Sequence, residues 1–234
     1  MGLPGEEELK NRFDPVTGLY ESEAIRLARA IAVLDDAYPE DIANWDLRLN
    51  AAERGAAANA LSGLAGMKLI ACGPGTKMQS KDWGQDNWRD LLTRLQRKYP
   101  HHGLVLVGSK EEAQTGDFAA QRWTGPKVNL CGLLGPRETA ALLEQANIFL
   151  GPDAGKMHLA ASVGVPCVIA FSARGLPGIW FPVGHQHQIV YHPPECVGCG
   201  LEKCIVMGKK CMLSITVEEM EQAVACVLNH PTMS

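Results

Sequence analysis

Short apolar runs alternate with segments of helical spacing along most of this chain. The runs fall at 68–72, 104–107, 128–130, 147–150, 167–171 and 188–191, and between them 87–99, 111–123, 137–146 and 158–163 carry apolar residues at helical intervals. Strands separated by helices predict right-handed crossovers, and so an α/β fold with a parallel sheet covered on both faces. A last amphipathic helix is expected over 217–228, with Thr216 as its cap and Glu218 and Glu219 in its first turn. The opening part reads differently. Residues 22–34 and 51–64 have helical spacing, a polar stretch links them, and 45–49 reads as a short strand. The pattern therefore divides the chain into an N-terminal helical and linker segment, 1–65, and an α/β domain, 66–234.

Composition narrows the class of partner more than the fold. A chain of 234 residues, 46% hydrophobic, can bury one substantial core, so disorder is not the default. The formal net charge of −4, with no dense run of Lys and Arg, gives no general attraction to nucleic acid or anionic lipid. No apolar run is long enough to span a bilayer, and the first eight residues are acidic where a signal peptide would be basic, so a cytoplasmic location is expected.

That location makes the cysteines reduced thiols rather than a disulfide framework. Cys72, Cys131, Cys167 and Cys226 lie in apolar contexts and are expected to fill the core. Cys196, Cys199, Cys204 and Cys211 are spaced C-x2-C-x4-C-x6-C in one polar loop. Four thiolates can close a tetrahedral structural zinc site, with His185, His187 and His192 as alternative ligands. Packing thiols or labile disulfides are the competing readings.

The chemistry-bearing residues cluster just after the apolar runs. Beyond 147–150 come Asp153, Ala154, Gly155, Lys156 and His158, an acid, a flexible backbone and an imidazole at a helix start. In a parallel sheet such a loop leaves the strand's carboxyl end, and the helix start aims free N–H groups at anions. The plainer alternative makes Asp153 a helix cap and His158 a packing residue. After 68–72 comes Gly73-Pro74-Gly75-Thr76, then Lys81. Its glycines would let backbone approach a phosphate, while Thr76 and Lys81 would add a hydroxyl and a point charge. After 104–107, Glu112 and Glu111 follow Gly108-Ser109, suited either to ribose hydroxyls or to a helix dipole. Two lookalikes fail. Three residues, not four, separate the glycines of 151–155, and Met157 stands where a nucleoside triphosphate loop has Ser or Thr; Gly73-Pro74-Gly75 lacks the third glycine of a dinucleotide fingerprint.

The run Asp153-Ala-Gly155-x-x-His158-Leu159-Ala160-Ala161, followed by Gly164 and Pro166, resembles the donor-binding half of glycosyltransferase family nine, the ADP-heptose:lipopolysaccharide heptosyltransferases. Ala154 stands where that family usually has threonine, which removes one hydroxyl contact. The turn at 73–76 with Lys81-Asp82-Trp83 also resembles the family. The resemblance implies the Rossmann-like C-terminal domain of a GT-B enzyme and covers most of the chain, but only the second half of that architecture. It further implies an ADP-heptose-type donor held by Gly75, Thr76, Lys81, Glu112, Asp153, Ala154, Gly155, Lys156 and His158. Transfer would be inverting, without a required metal, to a lipopolysaccharide core or related glycan or lipid-linked acceptor. The acceptor site and the catalytic base would lie in a separate N-terminal domain, and the enzyme would work in the cytoplasm or peripherally at the inner membrane. A noncatalytic module that binds nucleotide sugar is the alternative.

Overall fold

The computed structural model describes residues 9–229, so the acidic opening stretch lies outside the described residues. In chain order the elements are β1 (Phe13–Asp14), β2 (Leu19–Tyr20), α1 (Glu23–Ile31), α2 (Ala51–Ala60), β3 (Lys68–Cys72), α3 (Gln85–Lys98), β4 (His102–Leu106), α4 (Ala113–Ala119), β5 (Lys127–Asn129), α5 (Pro136–Leu143), β6 (Ile148–Pro152), α6 (Gly155–Ser162), β7 (Cys167–Phe171), β8 (Gln188–Tyr191), α7 (Lys210–Leu213) and α8 (Val217–Asn229). Strands β3 to β8 form one parallel sheet in the order β5-β4-β3-β6-β7-β8. Counted from its own first strand this is the 3-2-1-4-5-6 order of a Rossmann sheet, and it reverses direction between β3 and β6.

Period-two alternation along the strands feeds two separate cores. Ile70, Cys72, Leu104, Leu106, Ile148, Leu150, Val168 and Ala170 face one side, where they meet Trp88, Leu91, Leu92 and Leu95 of α3 and Met220 and Val224 of α8. Leu69, Ala71, Val105, Phe149 and Ile169 face the other, against Ala57 of α2, Ala140 to Leu143 of α5, and Met157, Ala160 and Ala161 of α6. Helix α2 thus covers the sheet beside α5, and Arg54 clamps Glu144 with two hydrogen bonds of 2.8 and 2.9 Å. Asn50 and Glu53 start α2 with a reciprocal capping box.

Several local expectations change. No strand forms at 45–49: the Asp41 carboxylate accepts from Ala43 N and starts a 3-10 turn, Ile42–Trp45, and Arg48 takes a φ of +48°. The hairpin β1–β2 has no counterpart in the pattern, because strands of two residues carry no periodicity. The expected helix at 111–123 shortens to α4 behind a 3-10 turn, Lys110–Glu112, and part of the cysteine-rich loop forms the short helix α7. Cys72, Cys131 and Cys167 are buried, but Cys226 is exposed. It lies on the solvent side of α8, opposite Met220, Ala223 and Val224, so it does not fill the core as expected.

Candidate functional site

The reversal of strand order leaves a crevice between the carboxyl ends of β3 and β6, and the two glycine-bearing turns open into it. Gly73 N donates to Leu150 O at 2.9 Å, fastening the exit of β3 to β6. From there the chain runs through Thr76 to a 3-10 turn, Gln79–Lys81, whose last residue returns to the crevice. Lys81 Nζ lies 3.1 Å from Asp153 Oδ1, with the two side chains only 16% and 8% exposed, and Ser172 Oγ donates to Asp153 Oδ2 at 3.0 Å. The residues immediately after Lys81 are anchored downstream: Trp83 Nε1 donates to Ile215 O at 2.8 Å, and Lys209 Nζ donates to Asp82 O at 3.0 Å.

The helix-cap alternative for Asp153 does not hold. The N-cap of α6 is Ala154, which makes no side-chain cap bond, so the first amides of α6 meet no capping side chain. Asp153 is instead a buried carboxylate shared between an ammonium and a hydroxyl.

A second charged pair forms the floor. Lys156 Nζ donates to Glu112 Oε2 at 2.8 Å and to Gly75 O at 3.1 Å, and Ser109 N donates to the same Glu112 oxygen at 2.8 Å. The glycines make room for it. A Cβ on Gly75 would sit 2.6 Å from the Glu112 carboxyl carbon, and one on Gly108 would sit 2.4 Å from Glu112 Oε2. Between the two acids at this loop the structure places Glu112 in the crevice and leaves Glu111 exposed.

The crevice comprises two adjoining cavities. The larger, of about 440 Å³, is lined by Thr76, Glu112 and Lys156 with an apolar wall of Leu134, Pro136 and Leu159. The smaller, of about 340 Å³, holds His158, Arg174 and Trp180. Lys81, Asp153, Ala154 and Gly155 line both, so the ion pair stands at their junction. Burial pushes the His158 pKa below the usual histidine range; Asp153 opposes that shift and Lys81 reinforces it. Thr76, Lys81, Glu112, Asp153, Ala154, Gly155, Lys156 and His158 thus line the cavities, and Gly75 abuts Glu112. Sequence reasoning missed Ser172, Arg174 and Trp180. Ser172 directly follows the apolar run of β7, the same signal that singled out Asp153 after β6.

The four loop cysteines are free thiols, Cys199 exposed and the other three half-buried. Among the described residues, no group of three or more His, Cys, Asp or Glu side chains is placed to hold a metal ion. Cys204 Sγ accepts from Lys209 N at 3.2 Å. Two of the three alternative histidine ligands have other partners: His187 Nδ1 accepts from Cys167 N and its Nε2 donates to Val183 O, while His192 meets Ser214 and Glu219.

Solved structures share this fold. The E. coli ADP-heptose lps heptosyltransferase II matches at 18% identity with a TM-score of 0.63, over 80% of this chain and 54% of its own. A glycosyl transferase family 9 protein from Veillonella parvula DSM 2008 matches at 16% identity with a TM-score of 0.77, over 90% of this chain and 60% of its own. The E. coli heptosyltransferase WaaC with ADP-2-deoxy-2-fluoro heptose matches at 16% identity with a TM-score of 0.55, over 85% and 53%. The chain therefore spans a little over half the length of these proteins. No curated protein sequence matches it. The family model for glycosyltransferase family 9 (heptosyltransferase) matches residues 17–209, most of the chain, and with the motif at Asp153 and the Rossmann sheet in place, this protein belongs to that family.

Proposed function

We propose that the chain supplies the donor-binding half of an inverting, heptosyltransferase-like glycosyltransferase, holding an ADP-heptose-type nucleotide sugar across the two cavities. The observation that carries this reading is the Lys81–Asp153 pair at the junction of the cavities, beside an α6 N-terminus that no side chain caps. Glycosyl transfer builds negative charge on the departing diphosphate. Amides at Gly75, Thr76, Gly155 and Lys156, the α6 dipole and the Lys81 ammonium would stabilise that charge more in the transition state than in the ground state. Asp153 would orient sugar hydroxyls, and Glu112 would accept from the ribose diol. His158, whose pKa burial lowers, is suited to act as a neutral hydrogen-bonding group.

In this reading the acceptor is a lipopolysaccharide core or related glycan, the base comes from a separate N-terminal domain, and the work is done in the cytoplasm or at the inner membrane surface. Among the described residues no helix is long and apolar enough to cross a membrane. The residues named above carry the leaving-group role without a metal. A structural zinc at Cys196, Cys199, Cys204 and Cys211 is a separate proposal that does not fit the arrangement as it stands, since the thiols would have to draw together around the ion; metal content of the purified protein tests it.

Calorimetric titration with ADP and ADP-heptose tests the donor site. Binding by the native chain and a large loss in Lys81→Ala are expected, and unchanged affinity in that variant refutes the site. A noncatalytic nucleotide-sugar-binding module is the second reading, favoured by Ala154, which lacks the hydroxyl of a threonine. Transfer by this chain after mixing with a separate acceptor domain, against binding without transfer, separates the two.

A further inference from the structure

The smaller cavity has walls that the family motif does not account for. Arg174, Gly175 and Trp180 come from the connection 172–187 between β7 and β8, two parallel neighbours joined here without a helix or strand. A connection of that length in a compact domain is uncommon unless it has a task. This one is fastened along its length. Tyr20 N donates to Pro177 O at 2.8 Å, Glu23 N to Ile179 O at 2.9 Å, and His187 fixes its far end through Cys167 N and Val183 O. The N-terminal hairpin and the start of α1 therefore act as a brace for the segment carrying Trp180. On that braced segment the Trp180 side chain is 51% exposed and lines the cavity, instead of packing inward like Trp83, Trp88 and Trp123.

Arg174 is held as deliberately. Its Nε donates to Leu201 O at 3.0 Å and its Nη2 to Gly200 O, both in the cysteine-rich loop. The same Leu201 carbonyl accepts from Ser80 Oγ at 2.7 Å, and Glu202 O accepts from Ser80 N at 3.0 Å, next to Lys81. One stretch of loop backbone thus sets both Lys81 and Arg174. The two cations differ in partners: Lys81 meets a carboxylate, and so does Lys156, whereas among the described residues Arg174 meets only carbonyls.

We propose that Arg174 and Trp180 form the subsite for the transferred sugar, a pyranose that lays a C–H face on the Trp180 indole while its hydroxyls accept from the Arg174 guanidinium. An indole offers a broad apolar face at low entropic cost, and a planar guanidinium presents a fork of donors to neighbouring oxygens. Asp153, which when ionised can only accept, lines the same cavity and complements the guanidinium's donors. The anomeric carbon then sits at the junction of the cavities, with the nucleoside diphosphate in the larger one. Arg174 and Trp180 determine specificity for the sugar and leave the nucleotide to the family motif. This assignment rests on the donor-site reading above.

Paired calorimetric titrations of the full chain with ADP and with ADP-heptose keep the two ideas apart. Trp180→Ala and Arg174→Gln should each weaken ADP-heptose binding roughly tenfold, a loss of the size expected for one aromatic or charge-assisted contact, while ADP binding stays within about twofold. Trp180→Phe should recover most of the loss. If both variants leave ADP-heptose binding unchanged, or weaken ADP and ADP-heptose equally, the sugar subsite is wrong while the donor site stands. If the native chain binds neither ligand, the donor site itself is wrong and the subsite falls with it.

Discussion

The crevice rim and the cysteine-rich loop lie side by side and are both rich in glycine, yet they are built in opposite ways. At the rim, charged side chains are shielded in pairs, Lys81 with Asp153 and Lys156 with Glu112, and each belongs to a segment that leaves the carboxyl end of a strand whose position the sheet dictates. In the loop the thiols are exposed or half-buried, and attachment runs through the backbone carbonyls of Gly200, Leu201 and Glu202 together with one cation, Lys209, on Asp82. The rim is therefore a consequence of the fold. The loop is a strap laid over it, and its influence on the site passes through Ser80, Asp82 and Arg174.

The sharpest way to break that contrast is at the buried pair. Asp153→Ala leaves the Lys81 ammonium without its carboxylate in a nearly solvent-free place, and breaking such a pair costs about 3 kcal/mol or more. A fall in denaturation midpoint together with loss of ADP-heptose binding is expected; a variant as stable as the native chain would show that the pair is not part of the rim's structure. Next in size is Gly75→Ala. Its methyl group would meet the Glu112 carboxyl group, and displacing Glu112 and Lys156 should cost about 1–3 kcal/mol and weaken nucleotide binding, read by urea unfolding and titration with ADP.

A smaller effect comes from acid. Burial holds the pKa of both His158 and His187 below 6.5, the ordinary value. Well above 6.5 both rings are neutral in the folded and unfolded chain, so they leave stability unchanged. As the pH falls below 6.5 the unfolded chain takes up protons that the folded chain resists, and stability drops. Calorimetric Tm should decline from about pH 7 to about pH 5, and His158→Gln should reduce the slope. The smallest expected effect is on the strap. Ser80→Ala removes the hydroxyl that meets Leu201 O, worth about 1 kcal/mol, and should loosen ADP-heptose binding slightly more than ADP binding.

The alternation of apolar runs and helical segments made the parallel sheet legible, because strands buried on both faces read as continuous apolar stretches. The meeting of Lys81 with Asp153 was legible for the same reason: both follow apolar runs, and in a parallel sheet such loops share one edge. What the sequence hid depends on contacts distant in the chain. Ala154 carries no sign that it would serve as an uncapped N-cap, and nothing near Lys156 along the chain points to Glu112 as its partner. Arg174 and Trp180 stand in a segment without periodicity, held in place by Tyr20 and Glu23 and by carbonyls of the cysteine-rich loop. Cys226 shows the reverse error, since an apolar neighbourhood along the sequence is no guide to which side of a helix a residue takes.

The anchoring of Trp83 to Ile215 and of Asp82 to Lys209 has a mechanical corollary. Ile205 and Val206 protrude at the strap's tip, 79% and 62% exposed, where a protease would cut first. Clipping there would interrupt the covalent thread, yet the downstream fragment would stay moored by α8 in the core and by these two links to the residues just after the Lys81 turn. The severed molecule should migrate as two bands under denaturing conditions, elute as one particle under native conditions, and still hold its nucleotide.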